Sequence, residues 1–567
     1  MTLLGYYHTN PHISVAAGVG FGFGGHSGGS LSSLPFRGNR QSTPRCPVSI
    51  FAAAVPVTYL PASSFSPSLE NDAMNSADDR LSFETLGRLP EDVARPGYDP
   101  RQVATGIVHL GVGAFHRAHQ AVYLDDLLAT DPQWGIVGAS LRRPDMRDAM
   151  APQDGLYAVA VRSGEGTKLR IVASIRDILV APEDPEALLS AMCDPNVKIV
   201  SLTVTEKGYC HDPATGDLNA EHPDVKADLA NPRAPTSAPG LLVEALRRRR
   251  DAGIVPFTVM PCDNLPANGP TVHRIMSQYA ALIDGELARF VERDVAVAGT
   301  MVDRIVPATT DADTDEICAT LGVKDAWPVV TEPFTQWVIE DRFPTGRPDF
   351  ASVGAEMVPD VEPYERMKLR MLNGSHSTLA YLGYLAGYET VSKTMADPAF
   401  ERLVGELMSE EVIPTLDVAG ADLPAYRDAL IARFHNPALK HRTWQIAMDG
   451  SQKLPQRLLG TIRDRLEAGQ PIDRLALGVA AWMRYVTGVD EKGATIDVKD
   501  PLAVRLKAIA DEAGHQPDDV AAGYLAVSEV FGRDLRDNSA FTVPVTNALT
   551  ALYARGSAAT VTALVSK

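Results

Sequence analysis

Three features of this 567-residue chain predict an α/β fold, a doubly wound Rossmann-type N-terminal domain followed by a mainly α-helical C-terminal domain. The first is a short apolar run, Gly106-Ile107-Val108-His109-Leu110-Gly111, that breaks at glycine and passes into a helix-periodic stretch. The second is the recurrence of strand-like runs, some separated by helical ones, as far as about residue 307. The third is a change of period, because from about Tyr364 onward apolar residues recur mostly at helical spacing. The chain is too long for one hydrophobic core, and its 45% apolar residues are enough for two.

The totals exclude several classes. A formal charge of −18 argues against a nucleic-acid or anionic-membrane surface, since phosphate binding needs a basic face. The five cysteines (Cys46, Cys193, Cys210, Cys262, Cys318) show neither CxxC nor Cys/His ligand spacing, which disfavours a disulfide scaffold and a zinc site and fits a cytoplasmic protein. No apolar run reaches the ~18 residues of a membrane span. Residues 1–85 are rich in Gly, Ser and Pro, with no acid before Glu70, and are expected to be a disordered extension or an over-extended start. Within them Gly20-Phe21-Gly22-Phe23-Gly24-Gly25 satisfies GxGxxG, but no strand feeds it and no helix follows, so it is a decoy. Residues 86–360 are expected to form the nucleotide-binding domain and 361–567 the helical domain that walls the substrate cleft.

Regular structure is expected to begin near Ala104. The first strand feeds Gly111-Val112-Gly113-Ala114-Phe115-His116-Arg117-Ala118, which enters a helix running to Leu128. Gly111 permits a tight turn, and Gly113 lets backbone approach a pyrophosphate at the positive end of the helix. His116 stands where a third glycine would be. A second strand at 134–141 is followed by Arg142-Arg143-Pro144-Asp145. Asp145 could hold ribose hydroxyls and favours NAD, whereas the two arginines could take a 2′-phosphate. Further strands are expected at 156–162, 169–180, 198–205, 255–260 and 300–307. The turns Glu206-Lys207-Gly208-Tyr209 and Pro261-Cys262-Asp263-Asn264 follow strand ends, where doubly wound sheets bind ligands.

The helical domain opens with Tyr364-Glu365-Arg366-Met367-Lys368-Leu369-Arg370-Met371-Leu372-Asn373-Gly374-Ser375-His376, expected to be one helix to about Tyr388. At about 100° per residue, Lys368, Asn373 and His376 fall within an arc of about 140°. An amine, an amide and an imidazole on one face suit proton removal from an alcohol; a solvated lysine, a buried amide and a surface histidine are the alternative. Tyr364-x-x-x-Lys368 also matches the Tyr-x3-Lys pair of short-chain dehydrogenases, but that pair lies within the nucleotide-binding domain and this one comes some 250 residues after Gly111.

These motifs, with Thr205-Glu206-Lys207-Gly208-Tyr209, Cys262-Asp263-Asn264-Leu265-Pro266 and Met301-Val302-Asp303-Arg304-Ile305, resemble the mannitol dehydrogenase family of polyol-specific long-chain dehydrogenases. The resemblance runs from about Gly106 to near the C-terminus. The segment from His441 to Arg457, Lys207 in place of glycine and Gln445 in place of arginine are similar to its fructuronate reductase branch; Asp325-Ala326-Trp327-Pro328 is similar to its mannitol enzymes.

The resemblance implies that Lys368 is the general base, Asn264 and Asn373 the oxyanion donors, His376 the substrate-orienting group and Glu365 the proton relay. It implies a substrate site built with Asp303 and Lys453, with Gln445 standing where the mannitol enzymes use an arginine on substrate; Lys207 is either a cation for a substrate carboxylate or a surface lysine, and NAD contacts are expected from Ile107, the loop Gly111 to Ala118, Asp145 and Thr205. No metal is required, because two amides replace a Lewis acid. A lysine this basic needs burial and cationic neighbours, Lys453 being one candidate, to bring its pKa toward about 7–8. The expected partner is a small sugar acid or polyol, with no nucleic acid and no membrane, on a monomer. A mannitol 2-dehydrogenase and a non-catalytic NAD-binding protein are the competing readings.

Overall fold

The computed structural model describes residues 79–212 and 215–566. The expectation for residues 1–78, and the glycine decoy within them, lies outside the described residues.

Eleven strands follow in order: β1 Thr105–Leu110, β2 Gly135–Ser140, β3 Tyr157–Ser163, β4 Gly166–Val172, β5 Ile175–Val180, β6 Ile199–Leu202, β7 Thr258–Pro261, β8 Thr300–Asp303, β9 Val329–Thr331, β10 Gln336–Glu340 and β11 Glu356–Val358. Five form one sheet in the order β5-β2-β1-β6-β7, and every neighbouring pair is parallel. The chain leaves β1 toward β2 and β5, then returns across it to β6 and β7. The direction therefore switches between β1 and β6, and their carboxyl ends form the crevice where such sheets bind ligands. Strand β1 is buried on both sides, with Val108 and Leu110 in one apolar cluster and Ile107 in another.

Several expected elements divide. The run expected at 169–180 breaks at Ala173-Ser174, where the Ala173 amide donates to Asp125 and the Ser174 hydroxyl to the Ala121 carbonyl. Its first half pairs antiparallel with β3 in a separate three-stranded sheet, β4-β3-β9, and its second half joins the parallel sheet. Strand β8 ends at Asp303 and pairs antiparallel with β10 in a third sheet, β11-β10-β8. Order also starts earlier than Ala104. Leu81 and Thr85 are buried, and the Leu81 amide donates to the Lys324 carbonyl at 2.9 Å, so residues 79–85 pack with the folded chain.

From residue 362 onward the described chain is helical, around one apolar core that runs from Met367 to Val565. The helix expected from Tyr364 is three consecutive pieces: an α-helix Glu362–Met367, a π-helical turn Lys368–Asn373 and an α-helix Gly374–Leu385. A second π-turn, Pro455–Leu459, packs against it, and a Cβ on Gly374 would lie 2.8 Å from the Arg457 carbonyl. Only glycine lets the two turns approach so closely. No described helix is long and apolar enough to cross a membrane.

Candidate active site

The β1 loop is shaped by glycine. Gly111 has φ +94°, and a Cβ there would sit 2.2 Å from the Thr203 carbonyl on the neighbouring strand end. Gly113 precedes the helix Ala114–Ala118, and a Cβ there would meet nothing within 4 Å, so the backbone faces open space. His116 fills the place of the third glycine by stacking on His109 of β1 at 3.4 Å. Burial holds both rings neutral, His109 near 3 and His116 well below its ordinary value. The expected helix to Leu128 is interrupted at His119, whose ring bonds the Gln336 carbonyl at 2.8 Å, while Arg304 takes the Ala118 carbonyl.

Several side chains of the residues expected at the nucleotide are packed into the domain. Ile107 and Ala118 are fully buried in the apolar core, and Phe115 stacks on His119. Val112 packs against Gly138, where a Cβ would lie 2.4 Å from its methyl. The Arg117 guanidinium is held by the Trp327 carbonyl and lies over the Tyr157 ring, which directs it into the domain instead of toward the loop. Asp145 is exposed and paired with Arg143 at 3.1 Å, so the acid and base that argued for opposite cofactors form one surface pair.

Thr205 keeps a backbone conformation rare for a β-branched residue, φ +68° and ψ 162°. Asp263 pins it: the Val204 and Thr205 amides each donate to its carboxylate at 3.0 Å, and the Tyr209 hydroxyl does so at 2.8 Å. Burial lifts the Asp263 pKa to about 6. Sequence reasoning singled out its neighbour Asn264 and gave Asp263 no role; the signal was its place at the end of β7, facing the end of β6.

Lys368, Asn373 and His376 are all buried. In a regular α-helix Lys368 and Asn373, five residues apart, would point about 140° away from each other. The π-turn closes its hydrogen bonds five residues apart, as in the Gly374 amide to Leu369 carbonyl bond, and brings residues at that spacing toward one column. Lys368 Nζ donates to Asn264 Oδ1, so the lysine and the first amide meet across the two domains. The amide nitrogens of Asn264 and Asn373 make no hydrogen bond among the described residues and are left to donate. His376 Nε2 is buried without a partner, its ring edge-on to His441 at 5.1 Å, and burial keeps it neutral.

Burial lowers the Lys368 pKa to about 8, with Asp303 opposing and Arg457 adding to the fall. The strongest cationic neighbours are Arg457 and Arg433 rather than Lys453. Glu365 accepts the Ala267 amide at 3.0 Å and, by burial, reaches a pKa of about 7. Glu365, Lys368 and Asn264 line one small cavity. Tyr364 instead reaches away to the Ala419 carbonyl at 3.3 Å, which separates it from this chemistry.

Asp303 is already engaged. Arg433 of the helix Leu423–Phe434 grips both its oxygens at 2.7 and 3.0 Å and also pairs with Glu332 at 2.7 Å, forming a buried triad between the domains. Asp303 is thus bound to Arg433, and its charge is felt at Lys368. Lys453 Nζ is spent on the Met448 and Ile446 carbonyls, and burial lowers its pKa to about 7. Gln445 lies partly buried on the helix Thr443–Ala447. Lys207 is exposed, whereas its neighbour Glu206 is felt at Lys453 and Arg457. Asp325, whose segment looked mannitol-like, holds the Ala158, Trp327 and Gln153 nitrogens, so that motif serves packing. Cysteine spacing showed no metal pattern, yet the fold brings Cys210, His222 and Asp224 within 4.8 Å; His222 Nδ1 there accepts the Asp224 amide.

Residues 105–352 match the mannitol dehydrogenase Rossmann domain and 360–553 the mannitol dehydrogenase C-terminal domain. D-mannonate oxidoreductase of Escherichia coli (strain K12) is 50% identical over 478 residues, 83% of this chain and 98% of that protein. An uncharacterized oxidoreductase of the same strain is also 50% identical, over 471 residues, 82% of this chain and 96% of that protein. Mannitol 2-dehydrogenase of Pseudomonas fluorescens, solved with NAD and D-mannitol, is 39% identical with a TM-score of 0.79, covering 86% of this chain and 100% of that one. On these matches and this architecture, the chain belongs to the mannitol dehydrogenase family.

Proposed function

We propose that this enzyme interconverts D-mannonate and D-fructuronate by NAD-dependent hydride transfer at a secondary alcohol, with Lys368 as general base. The observation that carries the reading is a buried lysine with a pKa of about 8, bonded to Asn264 and opening the turn that leads through Asn373 to the unpartnered imidazole of His376. The Gly111–Gly113 loop at the switch point fits a dinucleotide, because one glycine brings the backbone against β6 and the other leaves its approach open. Bound NAD supplies the hydride acceptor, and NADH the donor.

In oxidation, neutral Lys368 takes the hydroxyl proton while the Asn264 and Asn373 amides donate to the oxygen as its charge develops. His376 Nε2 holds a neighbouring hydroxyl. Glu365, raised by burial to a pKa of about 7, passes the proton toward solvent. In reduction Lys368 returns the proton to the new alcohol. A resident metal is not part of this scheme.

The preference for a sugar acid is supported by the 50% identity to the Escherichia coli D-mannonate oxidoreductase and by the resemblance of the segment carrying Gln445 to the fructuronate reductase branch. The second reading, a mannitol 2-dehydrogenase, is favoured by the likeness to the Pseudomonas enzyme. NADH oxidation with D-fructuronate and D-fructose side by side separates them: faster turnover of fructuronate is expected, and preference for fructose would refute the assignment. NADH binding without turnover of either would favour a non-catalytic protein.

A further inference from the structure

Resting on the mannonate reading, we propose that Arg457 receives the substrate carboxylate and thereby selects a sugar acid over an uncharged polyol. A hexonate carries its charge away from the reacting carbon, so the site needs a cation distinct from Lys368. Exposed Lys207 was the sequence candidate, but an ion pair at an exposed side chain contributes little.

Arg457 lies on the π-turn that packs against Gly374, next to the turn carrying Lys368 and Asn373. Its Nη1 donates to the Ser377 hydroxyl at 3.1 Å and reaches the Asn373 carbonyl at 3.5 Å. Its Nε and Nη2 make no hydrogen bond among the described residues, and the side chain is half-buried. Those two N–H groups form the edge of guanidinium that grips a carboxylate through two parallel bonds.

Its charge is also unmatched. Among the described residues no carboxylate lies within ion-pairing distance of Arg457, and Glu206 acts on it only through space. Arg433 is matched by Asp303 and Glu332, and Lys453, also without a carboxylate partner, gives its ammonium to two carbonyls. A charge left this way in a protein interior favours an anionic ligand strongly. Arg457 is felt at Lys368, His376 and Lys453, the three sides of the expected substrate site.

The test is the ratio of kcat/KM for D-fructuronate to that for D-fructose in the wild type, Arg457→Gln and Arg457→Lys. Any general damage scales both substrates and cancels. Arg457→Gln is expected to lower the ratio about 10- to 100-fold, the range for losing a charge-assisted contact, mainly through KM for fructuronate. Arg457→Lys, which keeps the cation and loses the paired geometry, is expected to fall between and covers the case in which the glutamine variant does not fold. A ratio within about threefold of wild type in the folded variants would overturn the role of Arg457 while leaving the mannonate reading intact. Wild-type turnover of fructose without fructuronate would overturn both.

Discussion

Replacing Lys368 by alanine removes the group on which the chemistry is argued to depend, and the structure gives the size of the effect. A pKa of about 8 instead of the ordinary 10.5 leaves about 9% of the side chain neutral at pH 7 rather than about 0.03%, close to 300 times more base. The sign differs by direction. Oxidation needs the neutral amine, so kcat should rise with pH to a plateau above about 8; reduction needs the ammonium, so kcat should fall over the same interval. The assay is kcat against pH in both directions, for wild type, Lys368→Ala and Glu365→Gln. The alanine variant should lose about 10²- to 10⁴-fold in kcat at every pH, the usual range for a general base. Glu365→Gln removes a negative neighbour that favours the ammonium, and should move the wild-type midpoint to lower pH in both directions. Retention of activity within about tenfold in Lys368→Ala, or limbs with the same sign in both directions, would refute the reasoning.

Tyr364→Phe should keep most activity, since its hydroxyl is turned to the Ala419 carbonyl; loss comparable to Lys368→Ala, measured as kcat, would revive the Tyr-x3-Lys reading. Arg433→Met leaves Asp303 and Glu332 buried and unpaired and should cost about 3–5 kcal/mol, read by denaturant unfolding; a change under about 1 kcal/mol would remove the triad from the account. Lys368→Met should be no less stable than wild type at pH 7. The lysine pKa is lower folded than unfolded, so its charged form costs about 3 kcal/mol below pH 8, a penalty that disappears as pH rises to about 10.5 and exceeds the Asn264 bond that is lost. Asp263→Ala frees the amides of the Thr205 turn and should raise KM for NADH more than KM for the sugar; equal changes would place Asp263 in general stability.

The sequence by itself determined the order of a Rossmann-type part and a helical part and the position of the glycine turn after β1, because a strand broken by Gly111 and the shift to helical period near Tyr364 are local signals. Motif resemblance proposed Lys368, Asn264, Asn373, His376 and Glu365 as the catalytic set, and the tertiary structure sets how these side chains stand. A hydrophobic period does not reveal that Lys368–Asn373 is a π-turn, since the extra residue is inserted without changing which residues are apolar. The assignments that moved are those in which a side chain's partner lies far along the chain. Asp303 is held by Arg433 from 130 positions away, and Arg117 by the carbonyl of Trp327 from 210. Lys207 faces solvent, while Arg457 bonds through Nη1 alone beside the turn that carries Lys368 and Asn373. Whether a charge is satisfied depends on what the fold packs around it, and long-range packing leaves no trace in residue spacing.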